Sequence, residues 1–314
     1  MKLLDTALDR AVVAGYSRVG YRVRAASWPD EDPQPEVLTG RTVVVTGATS
    51  GIGAAVAAGA LALGGRVILV GRDRERADRV RADLEARRPH ARVSIELGDM
   101  SDPHDVDDLA ARLAEDSVDV VVHNAGVMPP TRTESPDGHE LSLATHVLGP
   151  IRLTERLLPQ LAASSDARVI FMSSGGMYTA ALPVGDIDYR SGEYRGARAY
   201  ARSKRIQTEM VPILAERWAD ASVMTAGMHP GWVDTPGVAE SLPRFGRAMG
   251  PLLRTVEQGA DTAVWLAATA PRPPTGRFWH DRRPRPMNYR LLSGETNEAD
   301  RRAVWNDVLA AAGL

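Results

Sequence analysis

Short runs of β-branched residues alternate with longer stretches of helical character along most of this 314-residue chain. The runs lack polar alternation, as in Val43-Val44-Val45, which is typical of strands buried on both faces of a parallel sheet. Alternating strands and helices build a doubly wound domain. The sequence therefore predicts a single α/β domain with a doubly wound parallel sheet, a Rossmann-like fold. The predicted strands are Thr42–Thr46, Arg66–Val70, Arg92–Leu97, Val118–His123, Arg168–Met172 and Ser222–Met228, and the predicted helices span about 52–64, 73–88, 103–115, 138–163 and 197–219.

Two further segments flank the predicted domain, which spans residues 39–281. Residues 1–38 predict a helical extension and a linker, because apolar residues recur at helical spacing before the polar stretch Trp28–Pro35. Within the domain, residues 236–270 are predicted to be helical, and Thr275–Trp279 predicts a last strand. Residues 282–314 predict a tail with a terminal helix, in which Arg282–Pro286 is expected to run over the surface.

Composition excludes several classes of protein. The net charge of −2 gives no indication of nucleic-acid binding, and the lack of cysteine excludes disulfides and cysteine-ligated metals. The histidines show no metal-ligand spacing, so no metal site is predicted. No apolar run reaches the roughly 18 residues that cross a bilayer. Asp5, Asp9 and Arg10 interrupt the apolar residues that a signal peptide requires, so the sequence predicts a cytoplasmic protein with no membrane span.

A glycine-rich turn, Thr46–Gly53, joins the first predicted strand to the first helix of the domain. Glycines at this point let the backbone approach a pyrophosphate, and the helix N-terminus supplies N–H donors and a partial positive charge. Glycine also serves any tight strand-to-helix turn, but the strand–turn–helix context is the one that dinucleotide binding requires. The predicted cofactor contacts in this turn are Gly47, Thr49, Ser50, Gly51, Ile52 and Gly53.

The end of the second predicted strand, Val70-Gly71-Arg72-Asp73, bears on the choice of dinucleotide. An acidic residue at this strand tip binds the adenosine ribose hydroxyls, whereas an arginine suits a 2′-phosphate. Arg72 therefore favours NADP(H), with NADH or NAD⁺ less favoured. Asp73 leaves an alternative open, because it is either the N-cap of the next helix or a ribose ligand.

Two other predicted strands end in residues suited to the same site. Asp99-Met100 follow the third strand, and Asn124-Ala125-Gly126 follow the fourth. A doubly wound sheet binds its ligand at the carboxyl ends of its strands. Asp99, Met100, Asn124, Ala125 and Gly126 are therefore predicted to contact the cofactor.

Lys204 stands four residues after Tyr200 and is one of only two lysines, the other being Lys2, in a chain that otherwise uses arginine. Unlike the planar guanidinium, an ammonium is a compact point charge. Residues four apart share a helix face, where the ammonium favours the phenolate form of Tyr200. Lowering the pKa of a tyrosine from about 10 to near 7 requires roughly 4 kcal/mol. An ordinary surface helix would also explain the pair taken alone.

Together these motifs resemble the short-chain dehydrogenase/reductase family over roughly residues 40–280. The ordered set comprises Thr46–Gly53, Asp99, Asn124–Gly126, Ser173-Ser174, Tyr200 with Lys204, Pro230-Gly231 and Thr235. Within the family, Ser173–Met177, Glu216–Trp218 and Met228–Val238 are similar to the orphan group named dehydrogenase/reductase family member twelve. Retinol-dehydrogenase-like reductases share the same general layout.

The resemblance implies an oxidoreductase that interconverts a carbonyl and an alcohol with NADP(H). Tyr200 is then the general acid/base, Ser174 hydrogen-bonds the substrate oxygen, and Lys204 lowers the pKa of Tyr200 and binds the nicotinamide ribose. A later segment implies further cofactor contacts from Pro230, Gly231, Val233 and Thr235. The open alternative is a cofactor-binding regulatory or scaffold protein of the same fold with little turnover.

One position departs from the family pattern. The family places an asparagine in the long central helix, where it holds a water of the proton relay from lysine to solvent, and the corresponding residue here is His146. Histidine both donates and accepts hydrogen bonds, so His146 is expected among the catalytic residues as a relay member. An impaired relay and a simple packing role are open alternatives.

The 25 residues between Ser174 and Tyr200 leave room for a loop that brings Tyr178, Tyr189 and Tyr194 beside the pocket. With Trp232 and residues 236–255 they predict an apolar cleft, which suits a small apolar carbonyl or alcohol substrate. Family members commonly form homo-oligomers through the two long helices, and the same is expected here by analogy. The N-terminal helices have three open roles, namely binding a partner subunit, packing on the domain or lying on a membrane surface.

Overall fold

Strands and helices alternate along the chain in the computed structural model, which describes residues 2–235, 237, 246–247, 249–289 and 296–314. The described strands are Thr42–Thr46 (β1), Arg66–Gly71 (β2), Val93–Leu97 (β3), Val120–His123 (β4), Arg168–Met172 (β5), Met224–Met228 (β6), Arg277–His280 (β7) and Arg283–Arg285 (β8). They form one sheet in the order β3-β2-β1-β4-β5-β6-β7-β8. Strands β1 to β7 are parallel, and β8 is antiparallel to β7.

Helices connect these strands and continue beyond them at both ends of the chain. They are Lys2–Arg10 (α1), Val12–Tyr16 (α2), Arg18–Ala25 (α3), Gly51–Ala62 (α4), Arg74–Arg87 (α5), Pro103–Leu113 (α6), Leu141–Leu143 (α7), Gly149–Ala163 (α8), Gly196–Arg217 (α9), Val256–Ala268 (α10) and Glu298–Ala312 (α11). A π-helical turn at Ala144–Leu148 joins α7 to α8, and 3₁₀ turns lie at Gly175–Thr179 and Gly250–Leu252. Within the described ranges, no helix is both long and apolar enough to cross a membrane.

Helices cover both faces of the sheet. Alternate side chains of a strand point to opposite faces, so Val44 and Val121 pack with α6, α8, α9 and α11. Val43 and Val45 pack with α4, α5 and α10 on the other face. Val43, Val44 and Val45 are all fully buried. The predicted doubly wound α/β fold is confirmed, and the buried valines show why the runs lack polar residues.

The strand order reverses between β1 and β4. The chain builds outward from β1 to β2 and β3, then crosses back to place β4 on the other side of β1, with Val43 opposite Val120. At such a crossover the loops that follow the two strands lead in opposite directions and leave a crevice at the carboxyl edge. Gly47 after β1 and Asn124 after β4 therefore both lie at this edge of the sheet.

The long central helix differs from its predicted form. The prediction was one helix over residues 138–163, but the helix begins at Leu141 and is interrupted by the π-turn Ala144–Leu148. Gly138, with φ of +83°, belongs to the preceding turn. The predicted helical region 236–270 contains α10, and residues 236, 238–245 and 248 lie outside the described residues. The apolar spacing predicts the long central helix, but a single π-turn within it does not change that spacing in a recognisable way.

Arg282–Pro286 lies at the surface as predicted, with Pro284 and Pro286 exposed, but it is not an irregular excursion. Arg283–Arg285 forms β8, which pairs with β7 at the edge of the sheet. The Arg285 side chain is only 6% exposed and lies 2.8 Å from the Asp5 carboxylate. Arginine side chains usually stay in solvent. Carboxylates from the distant N-terminal helix allow the Arg285 side chain to be buried.

The N-terminal helices pack on the domain through a buried cluster of charges. Arg24 in α3 lies 2.8 Å from Asp5 in α1 and 2.7 Å from Asp281, which follows β7. Arg254 lies 2.6 Å from the same Asp281 carboxylate, and both arginines donate to the carbonyl oxygen of Gly15. Burial alone would raise the pKa of Asp281, but Arg254 and Arg24 outweigh it and hold that pKa below its usual value.

Replacing Asp281 by asparagine tests how much this cluster stabilises the fold. The Asp281→Asn variant leaves Arg24 and Arg254 buried without their counter-charge, which typically costs about 3–5 kcal/mol. Urea-induced unfolding of the variant is expected to show a loss of that size. Because the folded pKa of Asp281 is depressed, the stabilisation is present above the unfolded pKa of about 4 and is lost as the pH falls.

The matched control is Asp83→Asn, which removes an exposed ion pair with Arg87 on α5. Exposed pairs contribute about 0–1 kcal/mol, so this variant is expected to unfold nearly as the parent does. Equal unfolding free energies for Asp281→Asn and Asp83→Asn would show that the buried cluster does not hold the N-terminal helices in place.

Candidate active site

A cleft of about 400 Å³ opens at the carboxyl edge of the sheet, where β1 and β4 diverge. Residues from both sides of the crevice line it, although they are far apart in the sequence. All predicted cofactor residues except Gly231 and Val233 are among them: Gly47, Thr49, Ser50, Gly51, Ile52, Gly53, Arg72, Asp99, Met100, Asn124, Ala125, Gly126, Tyr200, Lys204, Pro230 and Thr235.

The glycine-rich turn lies closely against the loop that follows β4. A Cβ atom on Gly47 would lie 2.7 Å from the Cα atom of Ala125, and one on Gly53 would lie 2.3 Å from the Gly47 carbonyl oxygen. The Asn124 side-chain amide donates to the carbonyl oxygens of Thr46 at 2.9 Å and Gly47 at 3.1 Å. Asn124 therefore fixes the shape of the turn.

Helix α4 begins at this turn with an uncapped N-terminus. Ser50 occupies the N-cap position, and its side chain makes no capping hydrogen bond. Gly51 and Ile52, the first helical residues, line the cleft. The first amides of a helix have no partner within the helix and carry a partial positive charge. This arrangement suits a phosphate group of a ligand in the cleft.

Arg72, Arg76 and Asp99 line the cleft at the ends of β2 and β3. The Arg72 guanidinium is 60% exposed and lies 3.0 Å from the Asp99 carboxylate. Burial alone would raise the pKa of Asp99, but hydrogen bonds from Ser101 and Arg72 hold it below its usual value. Asp73 accepts a hydrogen bond from the Arg76 amide at 3.0 Å and caps α5. Of the two roles open to Asp73, the structure shows the N-cap.

Ser174, Tyr200 and Lys204 come together beside the cleft. The Ser174 hydroxyl lies close enough to the Tyr200 phenol to lower its pKa, and the Gly176 amide donates to the Ser174 oxygen at 3.2 Å. The Lys204 ammonium donates to the Met172 carbonyl at the end of β5, 2.7 Å away, and lies 5.8 Å from the centre of the Tyr200 ring. The two hydroxyl groups and the ammonium group thus lie together where the end of β5 meets one face of α9.

Burial determines the protonation of the two central groups. It lowers the pKa of the Lys204 ammonium to about 7. It also raises the pKa of the Tyr200 phenol, an effect that the hydrogen bond with Ser174 partly offsets. The predicted lowering of the Tyr200 pKa by Lys204 is therefore not found, because the ammonium contacts the Met172 carbonyl and not the phenol oxygen. Tyr200 keeps its proton at neutral pH, as a proton donor must.

His146 lies in the π-turn and is fully buried. Its Nε2 atom accepts the Val127 amide at 3.0 Å, and its Nδ1 atom lies 2.8 Å from the Ser203 hydroxyl oxygen. Because an amide only donates, Nε2 is the unprotonated nitrogen and Nδ1 donates to Ser203. The Ser203 hydroxyl donates in turn to the Tyr200 carbonyl at 2.9 Å. The imidazole thus links the loop after β4 to the backbone of α9.

This geometry does not support the predicted relay role of His146. Burial lowers the pKa of His146 well below its usual value, and the nearby charge of Lys204 lowers it further, so the ring stays neutral. Both ring nitrogens are bonded within the protein, which leaves neither free to pass a proton toward solvent. The contacts favour the alternative of a packing and positioning residue.

The three tyrosines predicted beside the pocket make their contacts away from it. The Tyr178 hydroxyl donates to the Pro286 carbonyl at 2.7 Å, the Tyr194 hydroxyl donates to the Glu140 carboxylate at 2.9 Å, and Tyr189 is buried against Tyr194. None of the three lines the cleft. Part of the other predicted wall, residues 236–255, lies outside the described residues.

The described side chains include no group of three His, Asp or Glu that would hold a metal ion.

Gly231 and Val233 lie between Pro230 and Thr235, two residues of the same loop that line the cleft. Gly231 has φ of +78°, and a Cβ atom there would lie 2.5 Å from the Arg254 guanidinium. Val233 is 4% exposed and packs so closely on α10 that a Cβ atom on Gly259 would lie 2.6 Å from it. Both residues therefore shape the loop that carries Pro230 and Thr235 to the cleft.

Tyr16 brings the N-terminal extension to two loops of the site. Its ring is 3% exposed and would lie 2.8 Å from a Cβ atom on Gly175, the residue after Ser174. Its carbonyl oxygen accepts the Trp232 amide at 2.8 Å. The loop after β5 and the loop after β6 therefore both rest on α2.

Several residues that line the cleft were not among the predicted contacts. Most of them adjoin a predicted strand-end motif, so adjacency in the chain was the signal that would have found them. They are Val70, Gly71, Arg76, Gly98, Val127, Met128, Met172, Ser173 and Gly237. Thr145 also lines the cleft but lies in the π-turn, for which the sequence holds no periodic signal.

A glycine-rich turn at the crossover of a doubly wound sheet defines a class of dinucleotide-binding proteins. The sequence model of the short chain dehydrogenase family matches residues 41–244 of this chain. The chain therefore belongs to the short-chain dehydrogenase/reductase family of oxidoreductases, and the resemblance that the motifs predicted is confirmed.

Three curated relatives place the chain within the family. Dehydrogenase/reductase SDR family member 12 of Bos taurus is 37% identical over 290 residues, which cover 91% of this chain and 90% of the relative. A Streptomyces sp. (strain C5) protein with the provisional name daunorubicin C-13 ketoreductase DnrU is 36% identical over 284 residues, 88% of this chain and 94% of its own. Human retinol dehydrogenase 12 is 30% identical over 274 residues, 86% of this chain and 85% of its own.

Two solved structures have the same fold. An uncharacterized protein of Mycobacterium paratuberculosis is 24% identical with a TM-score of 0.69, covering 92% of this chain and 97% of its own. A Shigella flexneri protein provisionally named as a short chain dehydrogenase, in complex with NADP, is 26% identical with a TM-score of 0.63. That match covers 80% of this chain and 100% of the Shigella chain.

Replacing His146 by asparagine, the usual residue of the family, is expected to destabilise this protein. The shorter side chain cannot span from the Val127 amide to the Ser203 hydroxyl, so at least one buried polar group loses its partner, at a cost of about 1–3 kcal/mol. Chemical denaturation is expected to show this loss for His146→Asn. The exposed His104 provides the control, since His104→Asn should change stability by no more than about 0.5 kcal/mol. A His146→Asn variant as stable as the control would contradict the bridging role.

Proposed function

We propose that this chain is an NADP(H)-dependent oxidoreductase that interconverts a carbonyl and an alcohol, with Tyr200 as the general acid/base. One observation carries the proposal. The Tyr200 phenol, which keeps its proton because burial raises its pKa, lines the same cleft as the glycine-rich turn and Arg72. A proton donor and a dinucleotide site in one cleft are what carbonyl reduction requires.

The cleft residues fit a phosphorylated dinucleotide. Gly47 and Gly53 let the turn pack where a side chain would collide with the protein itself, and the uncapped start of α4 suits the pyrophosphate. At the ends of β2 and β3, Arg72 and Arg76 offer guanidinium groups for a 2′-phosphate, while the Asp73 carboxylate is engaged as an N-cap. This donor set favours NADP(H) over NAD(H), in keeping with the NADP in the Shigella flexneri relative.

NADP(H), when bound, supplies or accepts the hydride, and the chain supplies the proton. In the reduction direction the Tyr200 hydroxyl donates its proton to the carbonyl oxygen of the substrate, and in oxidation it takes that proton back. To the Ser174 hydroxyl, which accepts a hydrogen bond from the Gly176 amide, we assign a hydrogen bond to the same substrate oxygen. Lys204 lines the same cleft, and its positive charge is assigned to binding the nicotinamide ribose.

The substrate class that we propose is a small apolar carbonyl compound or alcohol. Val127, Met128 and Pro230 give the cleft apolar walls near Tyr200. The names of two relatives, a retinol dehydrogenase and a provisional daunorubicin ketoreductase, denote carbonyl–alcohol chemistry on largely apolar molecules. The expected homo-oligomer and the cytoplasmic location stay predictions.

The Tyr200→Phe variant tests the proposed acid/base. Removing one hydroxyl takes away the proton donor, which typically lowers the rate by about 10² to 10⁴, while the cofactor contacts of the glycine-rich turn stay in place. We expect near-complete loss of NADPH oxidation over a panel of apolar aromatic ketones and aldehydes, with NADPH affinity within about threefold of the parent.

The control is Tyr21→Phe, which removes a hydroxyl from the N-terminal extension, where Tyr21 packs against Trp28. This variant is expected to turn over as the parent does. Turnover by Tyr200→Phe near the parental rate would refute the catalytic assignment. NADPH binding by the parent without turnover of any panel member would instead favour the alternative of a cofactor-binding scaffold protein.

A further inference from the structure

The buried ammonium of Lys204 has two polar contacts among the described residues. It donates to the Met172 carbonyl at 2.7 Å and to the side-chain oxygen of Gln207 at 3.4 Å. Neither contact is a carboxylate, and no ion pair with Lys204 occurs in the described part of the chain. A buried cation without a counter-ion is costly, so these two dipoles carry its stabilisation.

Gln207 connects Lys204 to the π-turn. It is 3% exposed, and its Nε2 atom donates to the backbone carbonyl of His146 at 2.7 Å. A carbonyl only accepts, so the nitrogen end of the amide must face His146. The oxygen end is then directed at Lys204, three residues earlier on the same helix face. A contact with a different helix thus fixes the direction of the dipole that the ammonium meets.

The sequence explains why this carbonyl is available to Gln207. In a regular helix it would accept the amide of the residue four positions later, but that residue is Pro150, which has no N–H. The His146 side chain bonds Val127 and Ser203, so only its carbonyl serves Gln207. The position that departs from the family pattern therefore acts on α9 through both its side chain and its backbone.

We propose that Gln207 is a positioning residue, whose side-chain amide ties the ammonium of Lys204 to the carbonyl of His146 and holds it beside Tyr200. This inference rests on the proposed function, in which Lys204 and Tyr200 act together. Gln207 does not line the cleft, so it acts through Lys204 and touches neither substrate nor cofactor.

A purely structural Gln207 would behave differently from a positioning one. If Gln207 only fills space in the buried helix, replacing it by methionine, which has a similar size, would leave the pKa of Lys204 unchanged. If its dipole stabilises the ammonium, the same replacement would remove that stabilisation. The other titratable groups that face Lys204 are Tyr200, His146 and His123. Burial lowers the pKa of His123 to about 3 and that of His146 well below its usual value, so neither compensates.

The lysine content of the chain allows a direct test. Lys2 and Lys204 are the only lysines, so a Lys2→Arg background leaves one ε-amino group to follow. Lysine labelled with carbon-13 at Cε then reports the ionisation of Lys204 by NMR as the pH is varied, with no substrate needed. In this background the titration midpoint is expected near 7.

Two substitutions in that background should move the midpoint in opposite directions. Gln207→Met removes the dipole and is expected to shift the midpoint down by about one pH unit, whereas Gln207→Glu places an anion at the ammonium and should shift it up by at least about one. The matched control is Gln160→Met on α8, where Gln160 is half-buried and donates to the Ala114 carbonyl. That variant should leave the midpoint unchanged.

An unchanged midpoint in a folded Gln207→Met protein would overturn the proposal. If that variant fails to fold, Gln207→Glu decides, and an unchanged midpoint there has the same meaning. Failure of the proposed function is a separate outcome. A parent that binds no NADPH, yet shows opposite shifts in the two Gln207 variants, would retain the positioning role and lose the proposed reaction.

Discussion

The geometry of the candidate active site depends on helix α9, whose middle section is buried on all sides. Nine consecutive residues of α9, Ser203–Val211, are buried, and six of them are polar. Buried polar groups need partners, and several of these residues find partners in other parts of the molecule. Lys204 bonds the end of β5, Gln207 bonds the π-turn, and Glu209 pairs with Arg301 from the C-terminal helix. The hydrogen bonds that make the helix tolerable in the core also fix Lys204 beside the cleft.

Segments outside the family-matched range complete this arrangement. The match spans residues 41–244, whereas Tyr16, Arg24 and Asp281 lie beyond it and join the N-terminal helices to the loops after β5, β6 and β7. At the other end, the pairing of Arg301 with Glu209 ties the C-terminal helix to α9. The cleft therefore rests on residues from the whole chain, and the two terminal segments are parts of the same structure.

The fold and most of the cleft follow from local sequence patterns. Buried parallel strands require unbroken apolar runs, and the glycine-rich turn leaves no room for a Cβ atom. The roles of Val43-Val44-Val45 and Gly47 can therefore be predicted from the sequence. Features that depend on distant partners cannot be predicted in this way. Asp5 and Asp9 pair with Arg285 at the edge of the sheet. Glu140 bonds Tyr194 away from the pocket. Both ring nitrogens of His146 are bonded, to Val127 and to Ser203. No spacing rule reports such long-range pairings.

The central claim is that the cleft binds NADP(H), with Arg72 at the 2′-phosphate. Titration of the intrinsic fluorescence of the six tryptophans with NADPH and NADH tests it in the parent and in Arg72→Ala. Loss of a charge-assisted contact of about 1.5–3 kcal/mol corresponds to roughly tenfold or more in affinity. The parent should bind NADPH at least that much more tightly than NADH. Arg72→Ala should abolish the difference, and Arg79→Ala, on the exposed face of α5, should preserve it. Equal or tighter binding of NADH by the parent, or no binding of either dinucleotide, would contradict the account.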